Sequence, residues 1–192
     1  MERVQMKNAD IISCICDSIE KGHLNSGSEL IKSYYPFQKV EYIKRTYTKA
    51  DMLSIFQRDH FIDRYSGEKL IFPPVLRILS ILYPEDFPFH TNWRYSECHP
   101  AYWDLLCTID HIVPVTKGGS NHKENLVTTS MKRNSAKANF TLEELDWKLQ
   151  TLDLAEPWDG KLNWFVKMVN ENLALLNVSY IRQWNYAVKK GL

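Results

Sequence analysis

The chain has 192 residues, with 24 Lys and Arg against 23 Asp and Glu, so its formal net charge is +1. The length fits one domain with an appended lobe. A hydrophobic share of 44% with 24% charged residues excludes a disordered or collagen-like chain. The balanced charge excludes a protein that coats nucleic acid by bulk charge. It leaves room for a local basic site, because the field in a cleft depends on distribution and not on the total. Cys14, Cys16, Cys98 and Cys107 form no C-x-x-C pair, and their irregular spacing fits a reducing cytosol. Glu2, Lys7 and Asp10 interrupt any signal-peptide core, and the longest apolar runs, such as Val75 to Leu82, fall short of the ~20 residues that span a bilayer. The expectation is a soluble cytoplasmic protein without a membrane partner.

Along the chain, Ile11, Ile12, Ile15 and Ile19 recur at helical spacing after Asn8-Ala-Asp10. Gly22 to Gly27 reads as a break, with Asn25-Ser26-Gly27 as its turn, and a second helix is expected from Ser28 to Tyr35, ended by Pro36. Lys39 to Tyr47 alternates as a strand with basic flanks. Thr48-x-x-Asp51 is an N-cap signature for a short helix to about Arg58. Asp63-Arg-Tyr-Ser-Gly67 reads as a tight turn, and Pro73-Pro74 opens a buried helix that stops before Pro84. Residues 84–100 are loop, with Phe87, Phe89, Trp93 and Tyr95 expected to pack it.

The segment from Cys107 to Leu149 is the most informative. Thr108 to Val113 is β-branched and apolar, a strand. Pro114 to Glu124 is a polar loop turning at Lys117-Gly-Gly119, Leu126 to Thr129 a second strand, and Met131 to Ala138 a basic helix. Thr141-x-x-Glu144 is a capping box expected to open a helix through Leu149. Trp158-Asp-Gly160 is a turn before helices over 164–176 and about 180–190.

Asp110-His111 at a strand end, Asn125 after the loop and Asn134 on the helix make a chemically sensible set. A carboxylate and a helix-borne amide hold one hard cation through oxygen and leave the rest of its shell to water and phosphate. A neighbouring histidine takes a proton from water near neutral pH.

Asp110-His-Ile-Val-Pro114, Lys117-Gly-Gly119, Glu124-Asn-Leu-Val127 and Arg133-Asn-Ser-Ala-Lys137 resemble the HNH endonucleases, whose core is the ββα-metal finger, in the variant with Asn in the third place. The motif covers about residues 107–140. A looser likeness to small bacterial HNH proteins runs from about Arg58 through Trp164, on Arg58-Asp59, Leu70 to Ser80, His99-Pro-Ala-Tyr-Trp103 and Trp158-Asp-Gly160. The resemblance implies an α+β protein with the finger in a mostly helical shell: an extension over 1–50, a nuclease domain over 51–165 and C-terminal helices over 166–192 packed on it. It implies hydrolysis of DNA phosphodiester bonds, with one Mg²⁺ or Mn²⁺. In that reading His111 is the general base, and Asp110 and Asn134 bind the metal. Asn125 fixes the loop and orients His111 through backbone contacts, while Lys132, Arg133 and Lys137 face the phosphate backbone of duplex DNA. One finger cuts one strand, so double-strand cleavage would need a homodimer or two encounters.

Many relatives brace the finger with zinc on two cysteine pairs. Here Asp63, Ser66, Ser130 and Arg133 stand at those positions, so no structural zinc is expected and the bracing is assigned to apolar packing by Ile109, Ile112, Leu126 and a helix over 142–149. His99 reads as a histidine packed in the aromatic loop, and Cys98, His99 and Cys107 fit no zinc spacing. The competing readings are a catalytically silent module that binds nucleic acid or a partner, and a ribonuclease.

Overall fold

The computed structural model describes residues 7–39, 47–152 and 158–191. The expected strand from Lys39 to Tyr47 lies almost wholly outside them. The chain divides into two compact units, Met1–Glu41 and Tyr42–Leu192.

In the first unit, α1 (Asn8–Glu20) and α2 (Leu24–Tyr34) form a helical hairpin that buries Ile11 and Ile15. The turn is shorter than the sequence implies. Gly22 takes φ +76°, its N–H donates to the Ile19 carbonyl and the His23 N–H to the Ser18 carbonyl. That pair of bonds satisfies the last carbonyls of α1 within two residues, so α2 starts at Leu24 and absorbs Asn25-Ser26-Gly27.

The second unit is α+β and mostly helical. Its strands β1 (Cys107–His111) and β2 (Leu126–Ser130) pair antiparallel, with Asp110 opposite Val127 and His111 opposite Leu126. Around them lie α3 (Lys49–Arg58), α4 (Pro73–Leu82), the one-turn α5 (Ala101–Asp104), α6 (Met131–Lys137), α7 (Leu162–Glu171) and α8 (Ser179–Gly191). Thr48 and Asp51 cap α3 reciprocally, and the bond from the Thr48 backbone holds the Asp51 carboxyl below its usual range. The aromatic centre is Trp184 of α8 against Phe72 (5.1 Å) and Phe56 (6.1 Å), and Ile109 and Leu126 reach the same core from the strands. In a second apolar cluster Phe89 and Trp93 pack on Tyr102, and His99 stacks on Phe87 at 4.1 Å, whereas Tyr95 is exposed. Among the described residues no helix is long and apolar enough to cross a membrane.

Two expected helices change. Residues 142–146 form turns and 147–149 carry no regular structure. The Thr141–Glu144 box makes both of its bonds, but Asp146 takes φ +53° and the Trp147 N–H closes back on the Leu142 carbonyl, so no helix forms. The helix over 164–176 stops at Glu171 and continues as a 3₁₀ turn, Leu173–Asn177.

The bracing of the hairpin is polar as well as apolar, and this corrects the assignment to packing alone. Asp63 is fully buried and accepts the N–H groups of Ser130 (2.9 Å) and Tyr65 (2.9 Å) and the Thr129 hydroxyl. Asp59, also fully buried, accepts the Thr128 N–H (2.8 Å) and pairs with Arg58 and Arg64. Arg58 in turn donates to the carbonyls of Lys123 and Leu126. Two of the four positions assigned to zinc cysteines in the resembled family, Asp63 and Ser130, are thus joined by a hydrogen bond. Removing a buried acceptor leaves its donors without water or partner, at about 1–3 kcal/mol for each orphaned group. Asp63→Ala is expected to destabilise by about 3 kcal/mol or more in urea melts, and Asp63→Asn, which keeps one carbonyl acceptor, by less.

Candidate active site

The hairpin brings Asp110, His111 and Asn125 to one end of the sheet, and α6, which leaves β2 at the other end, runs back along β1. Ser130 closes β2 and caps α6, its hydroxyl accepting the Arg133 N–H (3.2 Å), so strand and helix share one junction. Asn134 and Lys137, three residues apart, lie on the α6 face toward β1. The Asn134 amide donates to the Ile109 carbonyl (2.9 Å) and to the Thr108 hydroxyl (3.1 Å), which leaves its Oδ1 unengaged.

Asp110 is held through one oxygen. Its Oδ2 accepts the Tyr65 hydroxyl at 2.7 Å and faces the Lys137 ammonium at 2.9 Å. Lys137 also donates to the His111 carbonyl at 2.6 Å. Burial, and then the Asp110 charge, push the Tyr65 phenol well above its usual value. His111 places Nε2 2.9 Å from Asn121 Oδ1. Among the described residues no hydrogen bond is made to Asp110 Oδ1, Asn134 Oδ1 or His111 Nδ1. Asp110 and His111 are themselves buried, 8% and 3% exposed, so their unbonded atoms lie at the margin of the core.

Asn125 clamps the loop. Its Oδ1 accepts the Val113 N–H (2.9 Å), and its Nδ2 donates to the carbonyls of Val113 (3.0 Å) and Ser120 (2.8 Å). Gly119 passes beneath this clamp: a Cβ there would lie 1.8 Å from the Val113 carbonyl oxygen and 2.9 Å from Asn125 Nδ2. Gly118 has φ +85° with open space around it. Lys117 pairs with Glu144, which ties the loop to the turns after α6 and holds the Glu144 carboxyl below its usual range.

Lys137 departs from its expected place. It is fully buried and engaged with Asp110 and the His111 carbonyl, so it does not face solvent as a phosphate contact. A lysine is buried this far only where its charge is paired. Lys132 and Arg133 line a cleft of about 500 Å³ with Glu68, Asp104 and Trp147, beside α6 and apart from Asp110, His111 and Asn134. Within it Lys132 pairs with Asp104 (3.1 Å) and the Arg133 guanidinium lies 5.7 Å over the Trp147 ring. Tyr65, Asn121, Asp59 and Asp63 all support the site; the sequence pointed to Asp59 and Asp63 only through the resemblance, without this role, and did not mark Tyr65 or Asn121 as site residues. Tyr65 and Asp63 read there as turn residues, and Asn121 follows Gly-Gly-Ser like any loop polar residue, so nothing local distinguished them.

The donor chemistry suits a divalent ion, the group implied by the resemblance, while no group of three or more His, Cys, Asp or Glu stands together among the described residues. Asp110 Oδ1 and Asn134 Oδ1 are one carboxylate and one amide oxygen, the donor type that hard cations take.

Two outcomes test this geometry. Gly119→Ala should destabilise by about 3 kcal/mol or more in urea melts, because backbone must move, whereas Gly118→Ala should cost only about 1–2 kcal/mol of left-handed strain. The raised Tyr65 pKa means that the native state holds the phenolic proton more tightly than the unfolded chain. The stability it contributes is therefore complete below the unfolded value near pH 10 and falls as pH rises above it. Tyr65→Phe is expected to flatten that alkaline fall in a series of melts.

Comparison with protein-family models, with curated proteins and with solved structures finds no match for this chain.

Proposed function

We propose that this protein is a metal-dependent endonuclease of the HNH type that hydrolyses phosphodiester bonds in duplex DNA, with β1, β2 and α6 as its ββα-metal finger. One observation carries the reading. An acid, a histidine and a helix amide are held along β1, each through one atom, and each keeps a second polar atom without a hydrogen bond among the described residues. A fold that used these groups only as structural polar residues would be expected to bond both ends of each.

Asp110 and Asn134 would hold the ion. That ion would supply compensation for the negative charge that develops on the phosphate and on the leaving 3′ oxygen. The chain's own residues do the remainder. Tyr65 and Lys137 hold Asp110 through Oδ2 and leave Oδ1 unbonded, and the β1 carbonyl and hydroxyl hold Asn134 likewise. The Lys137 bond to the His111 carbonyl and the Asn125 carbonyl bond to the Ile112 N–H fix the backbone on both sides of the imidazole. His111 Nδ1 takes the proton from water as it attacks phosphorus, giving 5′ phosphate and 3′ hydroxyl ends. Lys132 and Arg133, in the cleft apart from Asp110, His111 and Asn134, would contact the DNA backbone away from the cut.

A second reading has its own support. Lys137 already neutralises Asp110, which suits a silent module that binds nucleic acid without turnover. Plasmid nicking separates the two. Wild type with Mg²⁺ or Mn²⁺ is expected to convert supercoiled plasmid to open circle, and EDTA to stop it with little change in melting temperature. His111→Ala should lower the rate about 10²- to 10⁴-fold with unchanged DNA retention in gel shift. Retention without nicking by the wild type would establish the silent module, and cleavage of RNA alone would make the protein a ribonuclease.

A further inference from the structure

The geometry points to Asn121 as the positioning residue that sets the tautomer of His111, an assignment that rests on the reading of His111 as the base. A neutral imidazole carries one proton on two nitrogens, and which nitrogen keeps the lone pair decides which can act as a base. Asn121 turns its amide oxygen to His111 Nε2 at 2.9 Å. An amide oxygen only accepts hydrogen bonds, so this contact needs the proton on Nε2. The lone pair then sits on Nδ1, the nitrogen left without a hydrogen bond among the described residues.

The placement of Asn121 follows from the loop clamp. Asn125 Nδ2 holds the Ser120 carbonyl, one residue before Asn121, and the Gly119 N–H bonds the Pro114 carbonyl. The His122 N–H bonds the Ser120 hydroxyl on the other side. Asn121 is therefore carried on backbone fixed at both neighbours, and it reaches across ten positions of sequence to the strand end. Asn125 acts on the imidazole by this route as well as through Ile112: it fixes Ser120, Ser120 fixes Asn121, and Asn121 fixes the ring. Asn121 touches neither water nor phosphate in this scheme. Its effect is on the fraction of His111 ready to accept a proton, not on the binding of DNA.

The test uses two readouts on the intact protein. The first is the long-range ¹H–¹⁵N spectrum of protein labelled with ¹⁵N-histidine, with His111 assigned among the six histidines by its loss in His111→Ala. Wild type is expected in the Nε2–H form. Asn121→Asp, whose carboxylate also only accepts, should keep that form, and Asn121→Ala should lose it. The second is steady-state plasmid nicking. Asn121→Ala should lower kcat about 10- to 100-fold with KM unchanged, in the range of losses seen when an outer partner of a site residue is removed. Asn121→Asp, which keeps an acceptor oxygen facing Nε2, should recover most of the loss. Matching melting curves establish that both variants fold. A wild-type His111 in the Nδ1–H form overturns the assignment, and so does an Asn121→Ala protein that nicks at the wild-type rate while His111→Ala is dead. A wild type that nicks nothing overturns the nuclease reading and removes Asn121's part in a reaction, and the spectrum then shows whether the tautomer itself was read correctly.

Discussion

Two strands of five residues do not hold together in water, and the second unit depends on how that weakness is met. Buried carboxylates meet it. Asp59 takes the Thr128 N–H under two guanidinium groups, and Asp63 takes the Ser130 N–H, the Thr129 hydroxyl and the Tyr65 N–H with no cation in contact among the described residues. A buried charge is tolerable only when its lone pairs are filled, and these two have them filled by the hairpin. The cost of losing the hairpin is then the exposure of two carboxylates' worth of donors. The same charges, after burial itself, push the Cys107 thiol far up, so this cysteine is a poor nucleophile for oxidants.

The site draws its precision from the same bonds. Ser130 is held by Asp63 through its N–H and caps α6 through its hydroxyl, so a single residue transmits the position of the strand to the helix. That junction delivers Asn134 and Lys137 to the face of β1 where Asp110 and His111 end. At the other end of β2, Arg58 grips the Leu126 and Lys123 carbonyls and Asn125 grips the loop. Side chains on a hairpin secured at both ends sample few positions, which is what a set of separately placed reactive atoms requires.

Much of this architecture was legible. The capping box at Thr48, the double proline before Val75 and the β-branched, apolar run from Thr108 to Val113 are local signals, and they place α3, α4 and β1 within a few residues. The spacing of Asp110, His111, Asn125 and Asn134 was legible for the same reason, because it lies within one hairpin and the helix that follows. What escaped is decided at a distance. The Thr141 capping box is locally complete, yet the turn at Asp146 brings Trp147 to 5.5 Å from the Tyr65 ring, and that contact cannot be seen from residues 141–149. Lys137 looks like one more basic residue of a solvated helix until β1 supplies Asp110 as its partner. Asp59 and Asp63 are ordinary turn acids until their donors arrive from β2.

Those donors arrive late, and the order of synthesis matters. Asp63 and Ser130 are 67 positions apart. When the ribosome has finished the first helices of the second unit, both carboxylates have their local partners, Arg58, Arg64 and the Tyr65 N–H, but still lack their donors from β2. They stay hydrated until β2 has emerged. The apolar faces of α3 and α4 must therefore wait, or collapse around charges that keep water with them. Closing so long a loop before its contacts reward it is slow. The nascent chain is most exposed to wrong associations in the interval between α4 and β2, and a chaperone or a slow stretch of translation would act there to greatest effect.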